Sequence, residues 1–207
     1  MNLLALHGST MNGELMRKQL DFVQRAISGL DVIAPDAPHA ASIELIDHLY
    51  EVWKAPRLPP PHYLWWDTTA DGREYRGWEA TRDLMRAVIP AGLVGILGFS
   101  QGAILAAAIA AMSAHGDMPP IAFVILVAGR PPRSDAIRPF LAQPITVPSL
   151  HIWGANDPLI GDTSAALVEL FHPATREVVV WPGAHSLPAT GPAAAAIVEL
   201  IGLWDRA

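Results

Sequence analysis

Val94-Gly95-Ile96-Leu97-Gly98-Phe99-Ser100-Gln101-Gly102-Ala103-Ile104 decides the fold. An unbroken apolar run at 93–97 meets an alanine-rich segment at 103–111, with Gly98-Phe99-Ser100-Gln101-Gly102 between them. This pattern predicts a strand, a sharp turn and a helix, with a serine at the bend. A serine hydroxyl is a poor nucleophile unless a base takes its proton and the resulting oxyanion is stabilised. The turn supplies half of that arrangement. It lifts the hydroxyl above the sheet edge and aims the first free backbone N–H groups of the helix at a reacting carbonyl. Gly98 and Gly102 suit a strained turn and a close helix–strand approach. The five-residue pattern is weak alone and becomes specific through its flanking strand and helix.

Outward from this stretch, short apolar runs alternate with segments of helical period. Residues 3–6, 31–34, 93–97, 121–127, 149–153 and 177–181 read as buried strands, as expected of a parallel sheet covered on both faces. Asn12 is an expected N-cap, followed by Met16, Leu20, Val23 and Ile27 on one helical face and by Gly29 as a stop. Further helices are expected over 74–89, 101–113, 162–171 and 193–204. The alternation predicts an α/β chain folded as a three-layer α/β/α sandwich with a mostly parallel sheet. Its length of 207 residues, 51% of them hydrophobic, suits one domain over 1–207.

A net charge of −6 with no basic stripe argues against nucleic acid as a partner. The chain has no cysteine, which excludes disulfides and thiolate metal sites. The N-terminal apolar run lacks a basic flank and is too short for a signal peptide or membrane span. A cytoplasmic location is the expectation. The sequence implies no particular oligomeric state.

Residues 55–73 break the rhythm, with Pro56, Pro59, Pro60, Pro61, Trp65, Trp66 and Gly72. So many prolines forbid a helix, and the connection is unusually long. A binding surface is expected here, with Trp65 or Trp66 facing the substrate and favouring apolar acyl groups over charged ones.

If Ser100 is a nucleophile, the acid and then the base should follow it in the chain. His7, His39, His48 and His62 precede it, His115 lies in a turn, and His151 sits inside an apolar strand. His172 is placed to cap a helix beside Pro173. His185 follows a strand and a Pro182-Gly183 break, at the strand end where open parallel sheets carry their sites. It is the expected base. Asp157, just past another strand, is the expected acid; Asp162 reads as a helix N-cap and Asp135 as a solvated turn residue. The expected oxyanion donors are the backbone N–H groups of Ser9 and Gln101, with His7 ordering the first loop.

Leu6-His7-Gly8, Asp36-Ala37-Pro38-His39, Trp65-Trp66, the Ser100 elbow, Leu150-His151-Ile152-Trp153-Gly154 through Asp157, and Gly183-Ala184-His185-Ser186-Leu187-Pro188 together resemble the FSH-type family of serine hydrolases. The resemblance covers nearly the whole chain in order. It implies an α/β-hydrolase fold lacking the first strands and beginning at the oxyanion-hole strand. It also implies hydrolysis of carboxylic esters or thioesters by Ser100, Asp157 and His185. Two positions depart from the family pattern: Ala184 replaces a glycine before the histidine, and Met11 stands where a glutamine is common.

This chemistry requires no metal or organic cofactor, and its partner is a small-molecule acyl ester or thioester. An acyl-protein or phospholipid-type carboxylesterase is a close alternative, since such enzymes share the elbow. A non-catalytic ligand-binding homologue would usually lack a triad member. A carbon–carbon hydrolase or cofactor-free peroxidase shares the same scaffold.

Overall fold

A computed structural model describes residues 1–53, 57–90, 92 and 94–205. Ala55 and Pro56 of the proline-rich segment, and Leu93 of the nucleophile strand, lie outside the described residues. In chain order the elements are β1 (Asn2–Leu6), α1 (Gly13–Gln19), α2 (Asp21–Ala26), β2 (Asp31–Ile33), β3 (His39–Ala40), α3 (Ile43–Trp53), β4 (Tyr63–Leu64), β5 (Asp67–Thr68) and β6 (Tyr75–Arg76). There follow α4 (Trp78–Val88), β7 (Val94–Phe99), α5 (Gln101–Ala114), β8 (Phe123–Val127), β9 (Ser149–Gly154), α6 (Gly161–Val168), β10 (Arg176–Trp181) and α7 (Gly191–Asp205). A short 3-10 helix, Arg138–Leu141, lies between β8 and β9.

Six strands form one sheet in the order β10-β9-β8-β7-β1-β2, every neighbouring pair parallel. From β1 the chain steps outward to β2, then returns to β7 on the other side of β1. The order therefore reverses between β1 and β7, and the crevice beyond their C-terminal ends is where an open α/β sheet binds ligands. Register Leu6↔Gly98 brings the loop after β1 beside the serine turn.

The continuous apolar runs conceal a period-two division of labour. Leu3, Ala5, Leu97, Phe99, Phe123 and Ile125 pack with residues of α1, α2 and α7. Leu4, Leu6, Val94, Ile96, Val124 and Leu126 pack with α5, Trp65 and Trp66 on the opposite face. Helix α5 is buried from Gln101 through Met112, as expected of a helix that is apolar all round.

Several boundaries differ from the sequence expectation. The first helix breaks at Leu20 into α1 and α2. Helix α4 starts at Trp78, because Tyr75–Arg76 pairs with Asp67–Thr68 as a two-residue ribbon. Helix α6 begins at Gly161 with Ile160 at its N-cap, so Asp162 is not the capping residue. Strand β10 is a sheet edge and not a buried strand: Val178 is 46% and Val180 52% exposed. Its apolar composition reports strand formation more than burial, since only one face is covered by α7. Among the described residues, no helix is long and apolar enough to cross a membrane.

Candidate active site

Ser100 sits at φ 53° and ψ −115°, a conformation that L side chains seldom adopt. Its N–H donates to Val127 O at 2.9 Å, continuing the ladder while the chain turns into α5. Both elbow glycines are sterically required. A Cβ on Gly98 would collide with Gly102 O, and a Cβ on Gly102 would collide with Leu6 O of β1. The serine is thus held up by a helix pressed hard onto two strands.

His185 reaches this serine from the loop after β10. That loop is stitched to the one after β9: Ala155 N–H donates to Trp181 O at 2.7 Å and Asn156 N–H to Gly183 O at 2.9 Å. His185 Nδ1 lies 2.8 Å from Asp157 Oδ2, and Nε2 lies 3.0 Å from Ser100 Oγ. A carboxylate only accepts, so Nδ1 carries the proton, and Nε2 is left to accept from the serine hydroxyl. The other Asp157 oxygen accepts from the N–H groups of Leu159 at 2.9 Å and Ile160 at 3.3 Å. The carboxylate is therefore buried and oriented through both oxygens. The structure brings together the three residues that chain order singles out.

The remaining candidates are placed elsewhere. His151 is buried in β9, bonded to Ser149 Oγ at 3.0 Å and packed edge-on against Phe171. Burial lowers its pKa to about 4, with Arg176 pushing the same way. His172 is exposed and accepts from Ala174 N–H. Asp135 is exposed and ion-paired with Arg73 and Arg138.

The loop after β1 is fixed by His7. Its Nδ1–H donates to Gly8 O at 2.8 Å, and its Nε2 accepts from Ala37 N–H at 3.0 Å. Burial drives its pKa down to about 4, against the opposing pull of the Gly8 carbonyl and Asp36, so the ring is neutral. Thr10 and Met11 donate their N–H groups to Tyr63 O and Gly8 O. Ser9, between Gly8 and Thr10, borders the cavity beside Ser100.

The two tryptophans part company. Trp65 is fully buried, and its Nε1–H donates to the His7 carbonyl at 2.8 Å. It does not line the cavity, contrary to one of the two placements expected from sequence. Trp66 does line it, stacked on Tyr75 at 4.4 Å and meeting Trp78 edge-on. Both backbones are clamped by one side chain: Trp65 N–H donates to Gln101 Oε1 at 3.0 Å, and Gln101 Nε2–H donates to Trp66 O at 2.9 Å. Thr81 Oγ1 donates to Trp65 O.

The cavity encloses about 340 Å³, with Ser100 and His185 in its lining. Leu45, Leu49, Leu64, Trp66, Ile104, Leu159 and Ile160 make it largely apolar; Asp67, Thr68 and Arg130 add polarity. Helix α3, which carries Leu45 and Leu49, is not among the helices expected from sequence. Its signal is nonetheless there: Ser42 Oγ accepts from Leu45 N–H as an N-cap, ahead of apolar residues at helical spacing. Arg130 is a second addition to the expected set, and nothing local marks it. Among the described residues, no group of three or more His, Asp or Glu side chains is arranged to hold a metal ion.

The family model described as "Serine hydrolase (FSH1)" matches residues 1–197. An Anopheles gambiae protein named Esterase AGAP003155 is 30% identical over 204 residues, covering 91% of this chain and 72% of that protein. The Xenopus tropicalis protein named Esterase OVCA2 is 32% identical over 207 residues, covering 93% and 88%. Among solved structures, Zea mays acyl-protein thioesterase 2 superposes with a TM-score of 0.69 at 18% identity, over 98% of this chain and 92% of that one. The fold, the hydrogen-bonded Ser100–His185–Asp157 row and the match over nearly the full length converge: the chain belongs to the FSH1 family of serine hydrolases, within the α/β-hydrolase superfamily.

Proposed function

We propose that the protein hydrolyses carboxylic esters or thioesters through an acyl-enzyme on Ser100. The observation that carries this reading is the continuous row from Asp157 Oδ2 through His185 to Ser100 Oγ, opening onto a largely apolar cavity. His185 Nε2 takes the hydroxyl proton as Ser100 Oγ attacks the acyl carbonyl. The Ser9 and Gln101 backbone N–H groups hold the tetrahedral oxyanion; Gln101 is the first residue of α5, where N–H groups have no intrahelical acceptor. The leaving alcohol or thiol departs with the proton from His185. Water then repeats the cycle and frees the acid. Asp157 fixes the tautomer and stabilises the imidazolium without taking its proton.

Ser100→Ala is expected to abolish labelling by a fluorophosphonate probe and to lower ester turnover roughly 10³-fold or more, with the fold intact. His185→Ala should match it, because such residues act as a unit, while His172→Ala should be nearly silent. Near-wild-type turnover by purified Ser100→Ala protein would overturn the reading. A panel of esters and thioesters of graded acyl length then ranks the two leaving groups.

A further inference from the structure

Arg130 is the unexplained charge in the cavity. The surrounding arginines are committed: Arg73 and Arg138 both pair with Asp135, Arg76 reaches Asp67 at 3.9 Å, and Arg133 donates to Asp71 O. Among the described residues, Arg130 has no carboxylate within ion-pair distance and no hydrogen bond. Its backbone is nevertheless pinned on both sides. Ala128, at φ 53°, donates its N–H to Ile152 O, and Ser164 Oγ donates to Gly129 O at 2.8 Å. A Cβ on Gly129 would come within 2.8 Å of Ala103 and 2.9 Å of Leu167, so the chain is wedged against α5 and α6. Past Arg130, Arg133 N–H donates to the Tyr75 hydroxyl at 2.9 Å. Arg130, itself exposed, thus borders from a fixed turn the cavity that Ser100 and His185 share.

On the reading that Ser100 cleaves esters or thioesters, and against the expectation from sequence that charged acyl groups are disfavoured, we propose that Arg130 selects substrates bearing a carboxylate a few bonds from the scissile carbonyl. A guanidinium matches a carboxylate as a planar two-pronged fork, and Arg130, exposed where it borders the cavity, can form that pairing without giving up a partner. The protein as a whole is acidic, with a net charge of −6, so it does not attract anions in general. A local cation is needed to admit one. Asp67 also borders the cavity, but its carboxylate is engaged by Arg76 and by Thr68 N–H at 2.9 Å.

The carboxylate has two sources to distinguish, the acyl part and the leaving group, and paired substrates separate them. One arm compares the nitrophenyl monoester of glutaric acid with nitrophenyl pentanoate. The other compares the butanoyl ester of hydroxybutanoate with butyl butanoate. Each is measured with wild type, Arg130→Gln, Arg130→Leu and Arg130→Lys. In one arm, the anionic-to-neutral ratio of kcat/KM is expected to fall about tenfold or more in Arg130→Gln and Arg130→Leu, chiefly through KM. Arg130→Lys should recover part of it, and neutral esters should be nearly unaffected. A ratio unchanged in both arms, with neutral turnover intact, overturns the role of Arg130 alone. Wild-type protein that cleaves no member of the panel overturns the esterase reading itself.

Discussion

The serine turn after β7 and the tryptophan segment 64–78 meet at Gln101, yet they are specified in different ways. The turn is a local object. Gly98, Ser100 and Gly102 are close in sequence, and the first two are dictated within the strand–turn–helix itself, by Gly102 O and by the positive φ of the serine, while Gly102 answers to Leu6 O of the neighbouring strand β1. The tryptophan segment is assembled at a distance. Trp65 serves the β1 loop through His7 O, Trp66 leans on Tyr75, and both depend on a side chain 35 or 36 residues away. Local steric necessity leaves a signature in sequence. A wall built from long-range hydrogen bonds does not.

Gln101→Leu is the strongest way to break this comparison. It keeps the backbone N–H of the turn but orphans the Trp65 N–H and the Trp66 carbonyl, both in buried residues. Leaving two such groups unsatisfied should cost about 2–4 kcal/mol, read by denaturant unfolding. Unchanged stability would mean that turn and wall stand independently.

Acid sharpens the comparison from the side of the β1 loop. His7 and His151 have folded pKa values of about 4, below the ordinary value of 6.5. Between those values the unfolded chain binds more protons, so stability falls as pH drops from about 6.5 to about 4 and levels off below. Each histidine contributes a slope approaching about 1.4 kcal/mol per pH unit. Urea midpoints measured across that window should flatten in His151→Phe and again in His7→Asn. A slope unaltered in both variants would place the titrating groups elsewhere.

The mildest test concerns Trp66. If it forms the acyl wall, each buried substrate methylene contributes about 0.8 kcal/mol, nearly fourfold in kcat/KM, until the cavity is full. Trp66→Ala should flatten that chain-length series in assays of graded esters. An unchanged series would assign the acyl wall to Leu45, Leu49 and Ile104 on α3 and α5.

The same contrast explains what the sequence discloses. The parallel sheet is visible because its interior strands are apolar on both faces, whereas β10 misleads because an edge strand can be equally apolar while half exposed. Asp157 and His185 are legible through chain order and strand ends, which are topological cues. Trp65 cannot be told from Trp66, because adjacent residues of one type diverge only when their partners are known. Arg130 carries no signal at all, since a single arginine after a strand gains meaning only from the cavity that it borders.

Three residues other than glycine hold positive φ among the described residues: Thr10 at 58°, Ser100 at 53° and Ala128 at 53°. They lie past the C-terminal ends of β1, β7 and β8, and Ser100 and Ala128 line the same cavity. Each such conformation costs on the order of 1–3 kcal/mol that glycine would largely avoid. If Ser100 is the nucleophile, as proposed, the most stable version of this chain is therefore not the active one. A lineage that no longer needed the reaction would gain robustness by drifting to glycine at the elbow, and purifying selection would have to act against that drift. On the proposed mechanism, a descendant of this sequence that carries Ser100→Gly on an otherwise intact scaffold would be a protein released from hydrolysis and kept for its shape.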